Sequence, residues 1–311
     1  MKVTVIIPTY NAGNQFSCLL DKLRSQTIHD FELIIIDSSS SDETADIAKK
    51  YTDKVVVIPQ AEFDHGGTRG KAAKMAQGEI IVFLTQDALP CDEFTLENIV
   101  GIFDDTNIGA AYGRQVSYED TNIFGRHLRY FNYGDLSYVR KLSDKSKYGI
   151  KTAFLSDSFA AYRKSALYDI GYFKSDLILG EDTYAGAKML LKGYSLAYVA
   201  DAAVYHSHSY TVMEEFRRYF DIGVFHACED WILKEFGKAE GEGTKYVKSE
   251  LHYILSAGKW YNVPEFFIRN GMKYLGYKLG NKYTILPEHL IQKLSMHKRW
   301  WKKKTVQFKE V

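Results

Sequence analysis

Runs of β-branched and aromatic residues alternate with helix-like patterns in the first third of the chain. They predict buried strands at residues 3–8, 31–36, 54–58 and from 79 onward. Between them, Phe16, Leu19, Leu20 and Leu23 have the spacing of an amphipathic helix. Ser40-x-x-Glu43 predicts a capping box that opens a second helix, and a third is predicted at 71–77 after a glycine-bearing loop at 63–69. This alternation predicts an α/β fold with a mostly parallel central sheet and helices on both faces.

The fourth run is the most apolar, and it delivers a single carboxylate, Asp87, shortly before Pro90. Ligands of open α/β sheets bind outside the carboxyl ends of the strands, which favours a functional role for Asp87. Aspartate is also a common turn former, so a purely structural turn remains the alternative.

Later segments carry weaker patterns. Residues 112–148 are predicted to be irregular and crowded with aromatic and charged side chains, which favours an interaction surface over core packing. Residues 154–163 are strand-like, Gly180 precedes a predicted helix, and a strand at 199–208 ends on two histidines. From residue 211 the pattern turns helical and aromatic-rich, with breaks at Pro264 and Pro287. We therefore expect a catalytic domain at 1–211 and a helical region at 212–311.

Composition adds a charge asymmetry. Residues 1–211 carry 22 basic and 27 acidic side chains, whereas residues 212–311 carry 18 and 12. The segment 297–304 sets two tryptophans in a basic cluster, which suits either a solvated tail or a contact with the membrane interface. Three scattered cysteines indicate neither a disulfide framework nor a zinc site. The first residues lead directly into strand-like sequence, so we expect no signal peptide, and no apolar run approaches the length that spans a bilayer. We expect a cytoplasmic, soluble or peripheral protein without a nucleic-acid partner.

Polar residues at the strand ends are the candidates for chemistry. A carboxylate accepts a hydrogen bond from the imide N–H of uracil or thymine, and an arginine pairs with diphosphate oxygens. Asp87 would suit Mg²⁺ or Mn²⁺, with His206 or His208 completing the shell, although a lone histidine is more often structural. Four residues are expected to converge on one side of the sheet: Thr9, Asp37, Arg69 and Asp87.

Glu181 and Asp182 follow a glycine at a predicted helix start. Carboxylates there are stabilised by the helix dipole, so simple capping is one explanation. An adjacent acid pair also suits general-base work, with one member held and the other taking a proton. The spacing of the residues does not decide between these two explanations.

The motifs together resemble a family-2 glycosyltransferase, an inverting enzyme with the GT-A fold. Over about residues 1–210 the resemblance rests on Val5-Ile6-Ile7-Pro8-Thr9-Tyr10-Asn11, Ile36-Asp37, Asp42-Glu43-Thr44, Arg69, Ala76-Gln77-Gly78-Glu79-Ile80, Thr85-Gln86-Asp87 and Glu181-Asp182. Three further segments resemble bacterial rhamnosyltransferases that build cell-surface polysaccharide from dTDP-rhamnose: residues 65–69, 84–88 and 204–211.

The resemblance implies roles for individual residues. The donor nucleotide would be held by Thr9, Asn11, Asp37, Arg69, Gln86 and Asp87. Asp182 would be the catalytic base beside Glu181, and Asp87 with His206, or His208 as the substitute, would hold Mg²⁺ or Mn²⁺. Thr85 departs from the family pattern, because it stands where the first acid of the Asp-x-Asp motif is usual.

The reaction expected from this resemblance is transfer of L-rhamnose from dTDP-rhamnose to a hydroxyl of a glycan or lipid-linked acceptor. The product would belong to a cell-wall, capsular or O-antigen polysaccharide. The aromatic segment 112–148 and residues 156–158 would line the sugar pockets, and the basic aromatic tail would rest on the inner membrane face. A UDP-sugar donor, a nucleotidylyltransferase and a non-catalytic sugar-nucleotide scaffold are the alternatives, and a homo-oligomer is left open.

Overall fold

The predicted alternation of strands and helices is present in the computed structural model, which describes residues 1–237 and 240–309. Among these residues one mixed sheet contains nine strands, in the order β3-β2-β1-β4-β8-β6-β9-β5, with β7 beside β9. The strands are β1 (Val3–Thr9), β2 (Phe31–Asp37), β3 (Val55–Val57), β4 (Ile80–Leu84), β5 (Leu89–Pro90), β6 (Ile108–Val116), β7 (Tyr138–Arg140), β8 (Phe159–Arg163) and β9 (Ser195–Tyr205).

The first four strands are parallel, as predicted, and β1 lies between β2 and β4. The other half differs, because β8 runs antiparallel to both β4 and β6. The helices are α1 (Gln15–Arg24), α2 (Thr44–Lys49), α3 (His65–Met75), α4 (Thr95–Gly101), α5 (Ile123–Asn132), α6 (Lys145–Tyr148), α7 (Lys164–Asp169), α8 (Glu181–Leu191), α9 (Val212–Cys228), α10 (Asp230–Phe236), α11 (Glu240–Ser256), α12 (Val263–Asn281), α13 (Glu288–Leu294) and α14 (Lys298–Lys309).

Hydrophobic clusters cover both faces of the sheet. Val5 and Ile7 of β1 point into a cluster with α1 and α4, whereas Ile6 points into a cluster with α3 and α8. Successive strand residues face opposite sides, so a strand covered on both sides is apolar at most of its positions. This explains the continuous apolar runs from which the parallel half of the sheet was predicted.

The prediction that residues 112–148 are irregular is wrong. The segment contains the end of β6 together with α5, β7 and α6. The Tyr112 ring lies 5.0 Å from the Tyr198 ring, and buried Arg140 donates hydrogen bonds to the backbone carbonyls of Lys151 and Phe154. Arg140 interrupts the sequence periodicity here without leaving the core, because backbone carbonyls accept its hydrogen bonds.

Three predicted element boundaries are also wrong. Ser40 bonds to Asp37 instead of forming a capping box, and α2 begins only at Thr44. Helix α3 begins at His65, because Asp64 accepts a hydrogen bond from the Gly66 N–H and caps it. The strand predicted at 154–163 is confined to β8, preceded by a 3₁₀ turn.

The helical region after residue 211 is confirmed, but its basic aromatic end does not project from the protein. Trp301 is buried in the same cluster as α3 and α8. Trp300 donates a hydrogen bond to the Asp176 carbonyl at 3.0 Å, and Lys303 pairs with the Asp176 carboxylate at 3.3 Å. The tryptophan pair packs against the body of the protein, which leaves Trp301 unavailable to a membrane, and membrane contact through the basic aromatic region stays a prediction. The division into domains at residue 211 stays a prediction.

Candidate active site

Thr9 and Asp37 face each other at the carboxyl ends of β1 and β2, where the register aligns them directly. The Thr9 hydroxyl donates to the Asp37 carboxylate at 2.9 Å, and Ser40 donates both its N–H and its hydroxyl to the same carboxylate, at 2.8 and 2.6 Å. Asp37 is almost completely buried. These three donors hold the buried carboxylate in one orientation at the sheet edge.

Loops that follow β1, β2 and β4 are joined by side-chain hydrogen bonds. Gln86 accepts from the Tyr10 N–H at 2.8 Å and donates to the Tyr10 carbonyl at 3.2 Å. Asn11, in the left-handed conformation with φ of 47°, accepts from the Ser41 N–H at 2.8 Å. Asn11 and Gln86 thus organise the loops around Asp37, and direct contact of either side chain with a nucleotide stays a prediction.

Asp87, His206 and His208 form a compact group of cation ligands. One donor atom from each residue lies within 4.8 Å of the others. The Nε2 atoms of His206 and His208 lie 3.4 and 3.8 Å from one Asp87 oxygen. Burial opposes ionisation of Asp87, but the hydrogen bond and charge of His206 hold the pKa of that carboxyl well below its usual value. Burial and the neighbouring His206 lower the pKa of His208 to about 4, so its ring is neutral and able to bind a metal at pH 7.

The orientation of His206 is set by a residue of β6. The Nδ1 of His206 lies 2.8 Å from the side-chain amide oxygen of Gln115, and the Gln115 amide nitrogen donates to the Ser156 hydroxyl at 2.8 Å. Because the amide nitrogen is directed to Ser156, the amide oxygen is the atom that faces Nδ1. A neutral ring that donates Nδ1–H to this oxygen has its lone pair on Nε2. Arg129 donates to the His206 backbone carbonyl at 2.6 Å. Such outer partners fix the tautomer and orientation of histidine ligands.

Glu181 and Asp182 occupy the first turn of α8, directly after Gly180. Gly180 has a φ of 81°, and a Cβ there would also press on the Phe225 ring at 2.9 Å. Only glycine fits both constraints without strain. The glycine that precedes the acid pair is thus explained by the turn into α8 and by the close approach of α9.

The two acids of the pair have different surroundings. Glu181 is buried and lies 3.1 Å from the Arg69 guanidinium. Asp182 is half-buried and accepts from the Thr183 N–H at 2.6 Å and the Asp157 N–H at 3.3 Å. Burial and the charge of Glu181 raise the pKa of Asp182 to about 6 in spite of these hydrogen bonds. Asp182 is therefore the acid of the pair that is suited to take a proton near neutral pH.

Arg69 lies among carboxylates and not beside Asp37. Its guanidinium is 3.2 Å from Asp157 and 3.1 Å from Glu181, and its side chain is buried. Asp157 also accepts from the Tyr162 hydroxyl at 2.5 Å. The structure thus brings Thr9 together with Asp37, and Asp87 with both histidines, but its contacts place Arg69 in the group around Glu181. Its predicted role in binding the nucleotide remains a prediction.

Ser156 and Asp157 connect the two groups. The Ser156 hydroxyl belongs to the Gln115 chain that orients His206, while the next residue bonds to Asp182 through its backbone and to Arg69 through its carboxylate. A cation site and a general-base candidate separated by one short segment can serve a displacement in which a base activates the nucleophile and a cation holds the leaving group.

Comparison with known proteins agrees with this geometry. The sequence profile described as Glycosyl transferase family 2 matches residues 4–171. The chain belongs to that family. The O-antigen chain rhamnosyltransferase RfbN of Salmonella typhimurium is 45% identical over 303 residues, which cover 97% of this chain and 96% of RfbN. The O-antigen chain rhamnosyltransferase WbaN of Salmonella anatum is 45% identical over 300 residues, covering 96% and 95%.

Solved structures show the same fold. The mannosyltransferase PcManGT from Pyrobaculum calidifontis, in complex with GDP-Man and Mn²⁺, matches with a TM-score of 0.65 at 18% identity, covering 92% of this chain and 88% of that chain. The predicted GT-A fold and the predicted glycosyltransferase activity are both confirmed.

Sequence reasoning about this family-2 glycosyltransferase missed Gln115, Arg129 and the full role of Asp157. Gln115 and Arg129 lie in the segment that was predicted to be irregular, and no motif marks either residue. Asp157 stood out only as part of a possible sugar pocket. The arrangement of these residues depends on the antiparallel pairing of β8 with β4 and β6, which local sequence does not specify.

Proposed function

We propose that this glycosyltransferase transfers L-rhamnose from dTDP-rhamnose, with inversion, to a hydroxyl of a lipid-linked glycan during O-antigen synthesis at the cytoplasmic face of the membrane. The observation that carries the proposal is 45% identity over nearly the whole chain to two O-antigen chain rhamnosyltransferases. The site supports the proposal with a candidate general base and a group of candidate cation ligands, which suit a transfer of this kind.

In the proposed reaction Asp182 accepts the proton of the acceptor hydroxyl. The hydroxyl oxygen forms a bond to the anomeric carbon of the donor sugar as the bond from that carbon to the diphosphate oxygen breaks. Glu181 and Asp157 stay paired with Arg69, which leaves Asp182 free to act as the base. A single displacement of this kind inverts the anomeric configuration.

Asp87, His206 and His208 are proposed to hold a divalent cation. Bound there, the cation would neutralise charge on the departing diphosphate. One carboxylate and two imidazoles favour Mn²⁺ over Mg²⁺, because Mg²⁺ prefers an all-oxygen shell. The contact between Gln115 and Nδ1, which orients the His206 ring, supports this set of ligands.

Asp37 is proposed to recognise the pyrimidine. Its buried carboxylate, fixed by Thr9 and Ser40, can accept the imide N–H that thymine and uracil share. A UDP-sugar is therefore the alternative donor. Membership of the family disfavours the nucleotidylyltransferase and the non-catalytic scaffold.

The test is isothermal titration of the protein with dTDP, UDP and GDP, with and without Mn²⁺, followed by product analysis with dTDP-rhamnose. We expect dTDP to bind more tightly than GDP, with tighter binding in Mn²⁺, and the product to have inverted configuration. Equal affinity for UDP would weaken the assignment of the donor, and a product with retained configuration would contradict a single displacement.

A further inference from the structure

Helix α12 has two basic residues, Arg269 and Lys273, on its inner face. Arg269 and Lys273 are buried, and they lie 3.1 and 3.4 Å from the carboxylate of Glu215 on α9. Lys273 also lies 3.7 Å from the buried Glu250 of α11. This network of ion pairs fixes the rotation of α12 about its axis, because turning the helix would leave several buried charges without a partner.

The outer face of α12 is apolar. Phe267 is 64% exposed, Ile268 58% and Tyr274 64%, and Leu275 is exposed as well. Tyr274 follows Phe267 by seven residues and Leu275 follows Ile268 by seven, which is about two helical turns and places all four on one side of the helix. A surface helix in water normally has the opposite arrangement, with apolar residues inside and charged residues outside. A contiguous exposed apolar stripe marks a contact with an apolar phase or with a partner molecule.

The stripe continues beyond both ends of the helix and is flanked by lysines. Trp260 is 72% exposed, Tyr261 precedes the helix, and Ile285 is exposed after it. Lys259 lies at one end, and Lys278 and Lys282 at the other. The single carboxylate in the sequence of α12, Glu265, is paired with Arg269 at 2.6 Å. The surface therefore combines aromatic and aliphatic side chains with positive charge at its edges.

We propose that this surface, residues 259–285 with the outer face of α12 at its centre, docks on a lipid bilayer that contains anionic lipids. Tryptophan and tyrosine favour the headgroup region, the aliphatic residues would enter the acyl boundary, and the lysines would meet lipid phosphates. A second copy of the chain is a poorer occupant, because a twofold contact between copies of the same stripe brings lysines close to lysines.

The docking surface is continuous with the active-site region. A cavity of about 340 Å³ lies between α5 and the start of α12, and Lys259 and Tyr261 form part of its wall. On the opposite wall, the Thr121 hydroxyl lies 2.6 Å from the Ser207 hydroxyl, and Asn122 donates its N–H to Ser209 at 2.9 Å. Docking would therefore bring the segment that carries His206 and His208 close to the membrane surface. The proposal rests on the packing of α12 and not on the identity of the donor sugar.

The test is co-sedimentation of the full-length protein with vesicles of phosphatidylcholine alone or mixed with phosphatidylglycerol. We expect the wild-type protein to bind the anionic vesicles. The affinity of the double variant F267S/I268S should be at least tenfold weaker. The variant K278Q/K282Q should lose affinity for the anionic vesicles only. Tyr274→Ser should weaken binding, whereas Tyr168→Ser, at a site that is 71% exposed on α7, is the matched control and should not.

Two results would overturn the proposal. One is vesicle binding that is absent in the wild type or unchanged in F267S/I268S. The other is a dimer in analytical ultracentrifugation that the double variant dissociates without any vesicle binding, which would assign the surface to a second copy. Titration with dTDP separates these failures from failure of the proposed function, because donor binding should be the same in the wild type and in every surface variant.

Discussion

At the scale of single residues, the adjacent acids Glu181 and Asp182 have different surroundings and different proposed roles. Glu181 is neutralised by buried Arg69, whereas Asp182 keeps partial access to solvent and a raised pKa. Removing the Asp182 charge should remove the base while leaving the ion pairs of Arg69 in place. The two acids thus differ in charge pairing and in pKa, because the helix directs Glu181 toward α3 and Asp182 toward the segment before β8.

Asp182→Asn should lower kcat by about 10²–10⁴-fold, the usual contribution of a general base. Donor binding should be unchanged, because no donor contact is assigned to this carboxylate. Steady-state kinetics together with titration of dTDP check both parts. Turnover close to that of the wild type would rule out Asp182 as the base.

The activity should depend on pH through the same carboxylate. A base works only when it is ionised, so kcat/KM should fall about tenfold per pH unit below the Asp182 pKa of about 6. Glu181→Gln removes a negative charge beside Asp182 and leaves the positive charge of Arg69 less neutralised. Both changes lower the pKa of Asp182, so the midpoint of the pH–rate profile should move to lower pH. A pH–rate profile that is flat from pH 5 to 7 would contradict this assignment.

Gln115 should tune the affinity for the cation without touching the cation. Gln115→Leu removes the acceptor that orients His206, and loss of such a partner weakens metal affinity by about 10–100-fold. Titration of Mn²⁺ measures the change, and Gln115→Glu, which keeps an acceptor, should restore most of the affinity. Equal weakening by both variants would indicate a loss of packing instead.

At the scale of elements, glycines set the distance between α9 and α12. A Cβ at Gly276 would overlap the Phe216 carbonyl oxygen, and one at Gly280 would overlap that of Phe220. The two helices therefore pack with backbone against backbone, which keeps Arg269 and Lys273 within reach of Glu215. Their packing holds the outer face of α12 in its exposed position.

Gly280→Ala should lower the free energy of unfolding by about 1–3 kcal/mol, since the methyl group forces the two backbones apart. Gly271→Ala is the matched control in the same helix, because a Cβ there meets nothing within 4 Å. The control should be neutral or up to about 1 kcal/mol stabilising. Denaturant unfolding followed by circular dichroism measures both variants.

At the scale of the whole molecule, the C-terminal helices complete the core of the catalytic sheet. Phe220 and Val224 of α9, Ile291 of α13 and Trp301 of α14 lie in the cluster that also contains residues of β1, α3 and α8. Among the described residues, no helix is both long and apolar enough to span a bilayer. The exposed apolar residues of the C-terminal half are concentrated instead along α12 and its flanks.

Two tryptophans test this arrangement. Trp301→Ala should lower the free energy of unfolding by about 3–5 kcal/mol, because a large buried side chain leaves a cavity. Trp260→Ala, at an exposed site, should change it by no more than about 0.5 kcal/mol. Thermal unfolding of both variants checks the difference, and equal effects would show that the end of the chain does not belong to the core.

The sequence by itself determined the parallel half of the sheet, the residues at its strand ends and the family. Those features depend on local periodicity and on short motifs, which are visible in order along the chain. It did not determine the antiparallel pairing of β8, the helices and strands within segment 112–148 or the position of Trp301.

Only the tertiary structure decided that Arg69 lies with Glu181 and Asp157, that Gln115 orients His206, and that α12 exposes its apolar side. Each depends on contacts between residues far apart in sequence: Arg69 with Asp157, Gln115 with His206, and Lys273 with Glu215. Charged residues are mostly exposed, and a local pattern does not show which of them are buried with a partner. The partner decides which, and only the fold brings it to the charged residue.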